Sequence, residues 1–142
     1  MSRMIFVNLP ITDLAKTEAF YRAFGWNKNP HFSNDNSLCM VWSDTIYAML
    51  LSHERWADFT TRPIPDAHTT CPVMLALNVD DRQTVDDIVT TAAAAGGRSD
   101  PNPAQDFSFM YSRSVADPDG HLWELFWMDP AAVPQEAEGC ST

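Results

Sequence analysis

The sequence predicts an α+β fold: two βαβββ modules whose curved mixed sheets surround a shared cavity. Three observations carry the prediction. A strand-like segment runs into an amphipathic helical segment twice, over residues 4–9 then 14–24 and over 73–79 then 84–95. The second copy follows at an offset of 68 positions, aligning Ile11-Thr12-Asp13 with Val79-Asp80-Asp81 and Ile5, Val7, Leu9 with Val73, Leu75, Leu77. The total of 142 residues suits a single domain. One helix per module covers one face of its sheet, and the remaining sheet faces pair around a common interior.

The reasons for each element are local. In residues 4–9 period-two alternation puts Ile5, Val7 and Leu9 on one face and Phe6 and Asn8 on the other. Pro10 has no N–H to donate and ends the run. Thr12 and Asp13 can cap a helix over 14–24, where Leu14, Phe20, Tyr21 and Phe24 share one side and Gly25 supplies the stop. Residues 26–37 are polar and turn-rich, with Phe32 as anchor for a short strand. Strands follow at 38–42 and 46–51 around Ser43-Asp44-Thr45. Residues 52–70, with Pro63 and Pro65, read as the connection between modules, with a short helical turn near 54–59.

The pattern then restarts. A strand at 73–79 leads through Asp80 and Asp81 into a helix over 84–95, apolar at Val85, Ile88 and Val89 and ended by Gly96-Gly97. A polar loop over 98–106 precedes a strand over 107–115, the turn Asp117-Pro118-Asp119-Gly120 and a closing strand over 121–127. The domain is expected over 1–130, with module one at 4–51, the connection at 52–70 and module two at 71–129. Residues 131–142 are expected as a flexible tail.

Hydrophobic residues make up 45 % of the chain, enough for a core. No apolar stretch approaches the roughly 20 residues that a bilayer span requires. With no signal-peptide pattern at the N-terminus, a soluble cytoplasmic protein is expected. The formal net charge of −10 repels phosphate, so neither nucleic acid nor a membrane is an expected partner, and a charged ligand would be cationic. Cys39, Cys71 and Cys140 form no CxxC pair and no zinc-like cluster, and are expected as reduced thiols.

Leu9-Pro10-Ile11-Thr12-Asp13-Leu14, followed by Phe20-Tyr21-Arg22-Ala23-Phe24-Gly25-Trp26, resembles the opening signature of the vicinal oxygen chelate superfamily. That superfamily comprises the glyoxalase, bleomycin-resistance and extradiol-dioxygenase proteins. Asp117-Pro118-Asp119-Gly120-His121-Leu122-Trp123-Glu124-Leu125 is similar to its closing motif. The resemblance covers residues 4–129 and implies the glyoxalase/bleomycin-resistance fold and a homodimer. For metal-dependent members it implies His or Gln on the first strand and Glu or His on the last strand of each module, around nickel, zinc, iron or manganese.

Carried over to those positions, this chain has Phe6 (or Asn8 one pleat later), Met49, Met74 and Glu124. Only Glu124 retains a ligand's chemistry, and a catalytic metal ordinarily needs three protein ligands. The expectation is therefore no metal and no other cofactor. His31, His53, His68 and His121 all fall in predicted loops or turns, His121 within the turn motif itself, and a divalent metal is the alternative if His53 or His68 reaches back over the cavity mouth.

If 117–120 is a four-residue loop, Ala116 faces His121 and Arg113 lies across from Glu124 on one sheet face. Such a cross-strand pair stabilises a sheet by a few tenths to about 1 kcal/mol. Inside a cavity it could instead orient a polar substrate, with Glu124 as a general base. A one-residue slip would put the two on opposite faces. The expected ligand-binding lining is Phe6, Asn8, Met49, Met74, Phe109, Tyr111, Arg113 and Phe126, an adaptable apolar wall with Asn8 and Tyr111 as hydrogen-bonding handles. The same residue types would also fill a packed interior. Trp42, Trp123 and Trp127 fall toward the opposite face as packing or dimer-interface residues.

The function expected is small-molecule binding of the bleomycin-resistance kind, with a ligand of cationic character. The alternative is a glyoxalase-like lyase or extradiol-dioxygenase-like enzyme, both of which need the metal. A third reading is a regulatory or assembly module whose cavity is filled.

Overall fold

The computed structural model describes residues 2–132. Module one consists of β1 (Ile5–Ile11), α1 (Leu14–Phe24), β2 (Asn27–Lys28), β3 (Ser37–Val41) and β4 (Ile46–Ser52). Its sheet runs β1-β4-β3-β2, with β1 parallel to β4 and the other neighbours antiparallel. After α2 (His53–Trp56) and the connection, module two repeats the plan. It consists of β5 (Leu75–Asn78), α3 (Arg82–Ala94), β6 (Arg98–Ser99), β7 (Gln105–Phe107), β8 (Met110–Ala116) and β9 (Leu122–Met128). β5 is parallel to β9, β9 pairs with β8, and both β6 and β7 lie along the other edge of β8. The second strand of module two is thus split in two. Both sheets are mixed, as the α+β, two-module reading expects.

The caps explain the helix bounds. Asp13 accepts the Lys16 N–H at 3.0 Å and starts α1. Asp81 accepts the Thr84 N–H at 2.7 Å, so α3 begins two residues before the expected 84. α1 and α3 lie against each other, where the Thr91 hydroxyl donates to the Ala23 carbonyl at 2.9 Å. A single core runs through both modules, with Phe20, Tyr21, Trp26 and Leu50 from the first and Val85, Val89, Trp123 and Leu125 from the second. At its centre the Tyr21 hydroxyl donates to Asp117 at 2.8 Å and accepts the Trp123 indole N–H at 3.0 Å. Burial holds the Tyr21 hydroxyl well above its usual pKa and also pushes the Asp117 carboxyl up.

The β8–β9 turn differs from the expected four-residue loop. The Asp117 N–H bonds the His121 carbonyl at 3.0 Å and Ala116 pairs with Leu122, leaving Pro118-Asp119-Gly120 as a three-residue loop. Gly120 takes φ +94°, the left-handed position that such a loop needs in its third place. A Cβ there would meet the His68 backbone nitrogen at 2.7 Å. The register therefore slips by one. Ser114, not Arg113, lies across from Glu124, and Arg113 faces Leu125 on the helix side.

Smaller differences have equally local causes. Phe32 lies in a 3-10 turn (Pro30–Phe32) and is exposed, because Asn29 caps that turn. The strand expected over 107–115 is a hairpin, with Phe109 in the bend between β7 and β8. The helical turn near 54–59 is α2, capped by Ser52. Trp42 and Trp123 pack edge-on against Phe24, as expected for core residues. Cys39 is buried, which pushes its thiol up, and Cys71 is exposed. Cys140 and residues 133–142 of the expected tail lie outside the described residues.

Candidate functional site

Strand alternation and register decide which side chains leave the core. The faces turned to α1 and α3 carry Leu9, Leu50, Leu77 and Leu125, all buried. The opposite, open faces carry Phe6, Asn8, Tyr47 and Met49 in module one. In module two they carry Ala76, Glu124 and Phe126, with Met74 just ahead of β5. These positions follow the expected lining for Phe6, Asn8, Met49, Met74, Glu124 and Phe126.

Two expected members are not there. Tyr111 and Arg113 point to the helix side, a direct consequence of the register. There the Tyr111 hydroxyl donates to Asp86 at 2.7 Å, and Arg113 donates to Asp86 at 3.0 Å and to Asp100 at 3.0 and 2.7 Å. The Tyr111 hydroxyl, and after it the Arg113 guanidinium, hold the Asp86 carboxyl below its usual value. Phe109 lies in the hairpin bend rather than on a strand and stacks on Phe107 with ring centroids 5.7 Å apart. Phe107 pairs with Met110 and Met110 with Met128, which puts the Phe107 ring on the sheet face of Phe126 and Glu124, at the edge of the open-face set.

The open face brings together two small constellations. In module one Phe6 stacks flat on Tyr47, with centroids 4.5 Å apart and an interplanar angle of 9°. Asn8 sits one pleat further on, beside Met49, and its amide nitrogen donates to the Phe6 carbonyl at 3.2 Å. In module two the Asn102 amide nitrogen lies 3.4 Å from both the Glu124 carboxylate and the Met74 sulfur. Asn102 is held there by Ser114, which is buried. Its backbone N–H donates to the Ser114 hydroxyl at 3.0 Å, and that hydroxyl donates to the Asn102 carbonyl at 3.2 Å.

Sequence reasoning missed Asn102 and Tyr47. Tyr47 was legible, since it shares the period of Met49. Asn102 was not, because a loop side chain reaches Glu124 only through tertiary placement; the sole hint is that Pro101 and Pro103 stiffen the loop around it.

The residues do not fit a divalent metal. A phenyl ring and two neutral thioethers stand at three of the four ligand positions, and the fourth, Glu124, has the Asn102 amide nitrogen between its carboxylate and the Met74 sulfur. Nor do the loop histidines replace them. His53, His68 and His121 line one cavity of about 360 Å³ with Asp66 and Asp119. His121 is committed there, since its Nε2 donates to the Pro10 carbonyl at 2.6 Å. Among the described residues no group of three or more His, Cys, Asp or Glu side chains could hold an ion. What remains is a surface for stacking and apolar contact, with one carboxylate that can accept hydrogen bonds or face a cation.

Comparison with known proteins agrees with this architecture. Residues 3–42 match the model of the bleomycin resistance protein-like N-terminal family. No curated protein matches the sequence. A glyoxalase-related enzyme from Fulvimarina pelagi superposes with a TM-score of 0.74 at 24 % identity, covering 96 % of this chain and 94 % of that one. A glyoxalase/bleomycin resistance protein/dioxygenase family enzyme from Burkholderia phytofirmans gives 0.71 at 20 %, over 89 % and 99 %. The fosfomycin resistance protein FosX from Listeria monocytogenes gives 0.63 at 18 %, over 92 % and 97 %. The chain therefore has the fold of these glyoxalase and bleomycin resistance structures, and its residues 3–42 match the bleomycin resistance protein-like N-terminal model.

Proposed function

We propose that this chain binds a small molecule on its open face without a catalytic metal. Phe6, Tyr47, Met49, Met74 and Phe126 supply the apolar wall, and Glu124, oriented by Asn102, supplies the negative end. The observation that carries this reading is the donor set: Phe6, Met49 and Met74 stand where metal-dependent relatives need ligands. The ligand class that suits one acidic group among aromatic rings, in a chain of net charge −10, is a flat organic cation. Among the described residues Glu124 has no second catalytic group beside it, which favours binding over the lyase and dioxygenase readings. The filled-cavity reading is disfavoured because Phe6 is 48 % and Met74 58 % exposed.

A second copy of the chain covers part of this face in the proposed state, a homodimer. The support is the exposed apolar set Phe6, Val73 and Met74, unusual on a protein that stays alone in water. The proposed setting is the cytoplasm; no helix among the described residues is long and apolar enough to cross a membrane.

Titration with thioflavin T, a flat cationic dye, and with anilinonaphthalene sulfonate, an anionic one, tests the binding proposal. Saturable thioflavin T binding, weakened about tenfold by Glu124→Gln, is expected. Equal binding of the two dyes, or no effect of the substitution, would contradict it. Sedimentation at micromolar concentration tests the dimer, with a monomer as the contrary result.

A further inference from the structure

We infer that the seam between the modules contains a second binding element, a slot for a neutral single-ring molecule that carries an N–H or O–H donor. Among the described residues β1 and β5 are both edge strands, since β1 pairs only with β4 and β5 only with β9. A slot of about 220 Å³ lies between them, with Leu9 and Leu75 on its walls and Trp56 and Pro65 closing it from α2 and the connection. A cavity of about 150 Å³ lined by apolar side chains is enough to hold benzene. One ring with a substituent therefore fits.

The polar groups on the wall select the ligand further. The His121 Nε2–H is spent on the Pro10 carbonyl at 2.6 Å. The Cys71 thiol is turned to the Val73 carbonyl at 3.3 Å, and the Thr70 hydroxyl donates to the Asp66 carbonyl at 2.7 Å. Asn8 differs. Its amide nitrogen is used on the Phe6 carbonyl, which leaves the amide oxygen to accept. Its peptide group also faces the slot, because alternate residues of β1 bond toward β4, as the Ile5 N–H does to Thr45. The free polar groups of this apolar slot converge at Asn8, as the side-chain and backbone oxygens and one backbone N–H, and they take a ring whose hydroxyl or amine donates to an oxygen. An anion is disfavoured by those oxygens and by the net charge of −10.

The inference rests on the reading of the chain as a small-molecule binder and adds a location and a ligand class that the open face does not supply. Amide-shift mapping with phenol, toluene and benzoate on the ¹⁵N-labelled full chain tests it. Phenol is expected to saturate and to move Asn8, Leu75, Leu122 and the Trp56 indole. Toluene is expected to move the same signals about fivefold more weakly, the loss of one hydrogen bond, and benzoate more weakly still. Asn8→Leu should erase the preference of phenol over toluene. Ala67→Phe, a filling change in the connection, should abolish both while its own spectrum shows a folded chain. Phenol shifts centred on Glu124, Met74 and Phe126 would overturn the slot and leave open-face binding intact. The absence of saturable shifts with phenol and toluene would overturn the slot alone, since thioflavin T reports separately on the open face.

Discussion

Arg113 and Glu124 lie one pleat apart in register and on opposite faces of the same sheet, and their roles divide accordingly. Arg113 ties α3 to the loop before β7 through Asp86 and Asp100. Both carboxylates are more than a third exposed, so solvent screens the pairs and their worth is modest. Arg113→Ala should lower unfolding stability by about 1 kcal/mol in urea titration and leave thioflavin T affinity unchanged. A loss of dye binding would return Arg113 to the ligand site. The same cluster predicts an acid response. Asp86 is held below its ordinary value by the Tyr111 hydroxyl and then by Arg113. A carboxyl lowered in the folded state adds stability that is present above its unfolded pKa of about 4, and the stability is lost as pH falls through the folded value. Asp86→Asn should therefore lose less stability than the wild-type chain between pH 6 and pH 3, measured as urea midpoints. An equal loss in the two proteins would show that the shift does not operate.

At the scale of elements, one glycine sets the register of β8 and β9. Gly120 adopts φ +94°, and a Cβ there would press into backbone at His68 and Ala67 at 2.7 and 2.8 Å. Backbone atoms cannot swing aside as a side-chain tip can. Gly120→Ala should cost about 2 kcal/mol or more, checked by thermal or urea unfolding. A neutral substitution would mean that the turn relaxes freely. This turn also marks where sequence reading ran out. The long strands β1, β3, β4, β8 and β9, both main helices, the caps Asp13 and Asp81 and the faces of Phe6, Asn8, Met49, Glu124 and Phe126 follow from periodicity and local chemistry. β6 and β7 do not, because the polar stretch 98–106 reads as a loop and becomes strand only by pairing with β8. The two sides of Arg113 and Tyr111 do not, because they hang on whether three or four residues make the loop. Period two turns that single residue into a change of face for a whole strand. Asn102 is invisible for a different reason: its partner Ser114 lies 12 positions away and meets it only in the folded sheet.

Over the whole molecule, the two modules share one core, and their seam is fastened by polar contacts as well as apolar ones. Tyr21 of module one links Asp117 and Trp123 of module two, and Asp119 of the β8–β9 turn accepts the Thr12 hydroxyl at 2.8 Å at the entry to α1. That arrangement commits the apolar faces of α1 and α3 to the shared core and leaves the opposite sheet faces outside it. Whether such faces act as a binding surface or as a metal centre depends on the side chains they present, here Phe6, Met49, Met74 and a Glu124 that accepts a hydrogen bond from the Asn102 amide. The most direct test is elemental analysis of protein purified without chelator, followed by calorimetric titration with nickel, zinc, iron(II) and manganese. The account predicts no stoichiometric, tight binding of any of the four. One tightly held ion per chain would contradict it, and would mean that loop histidines or Asn8 join Glu124 around a metal.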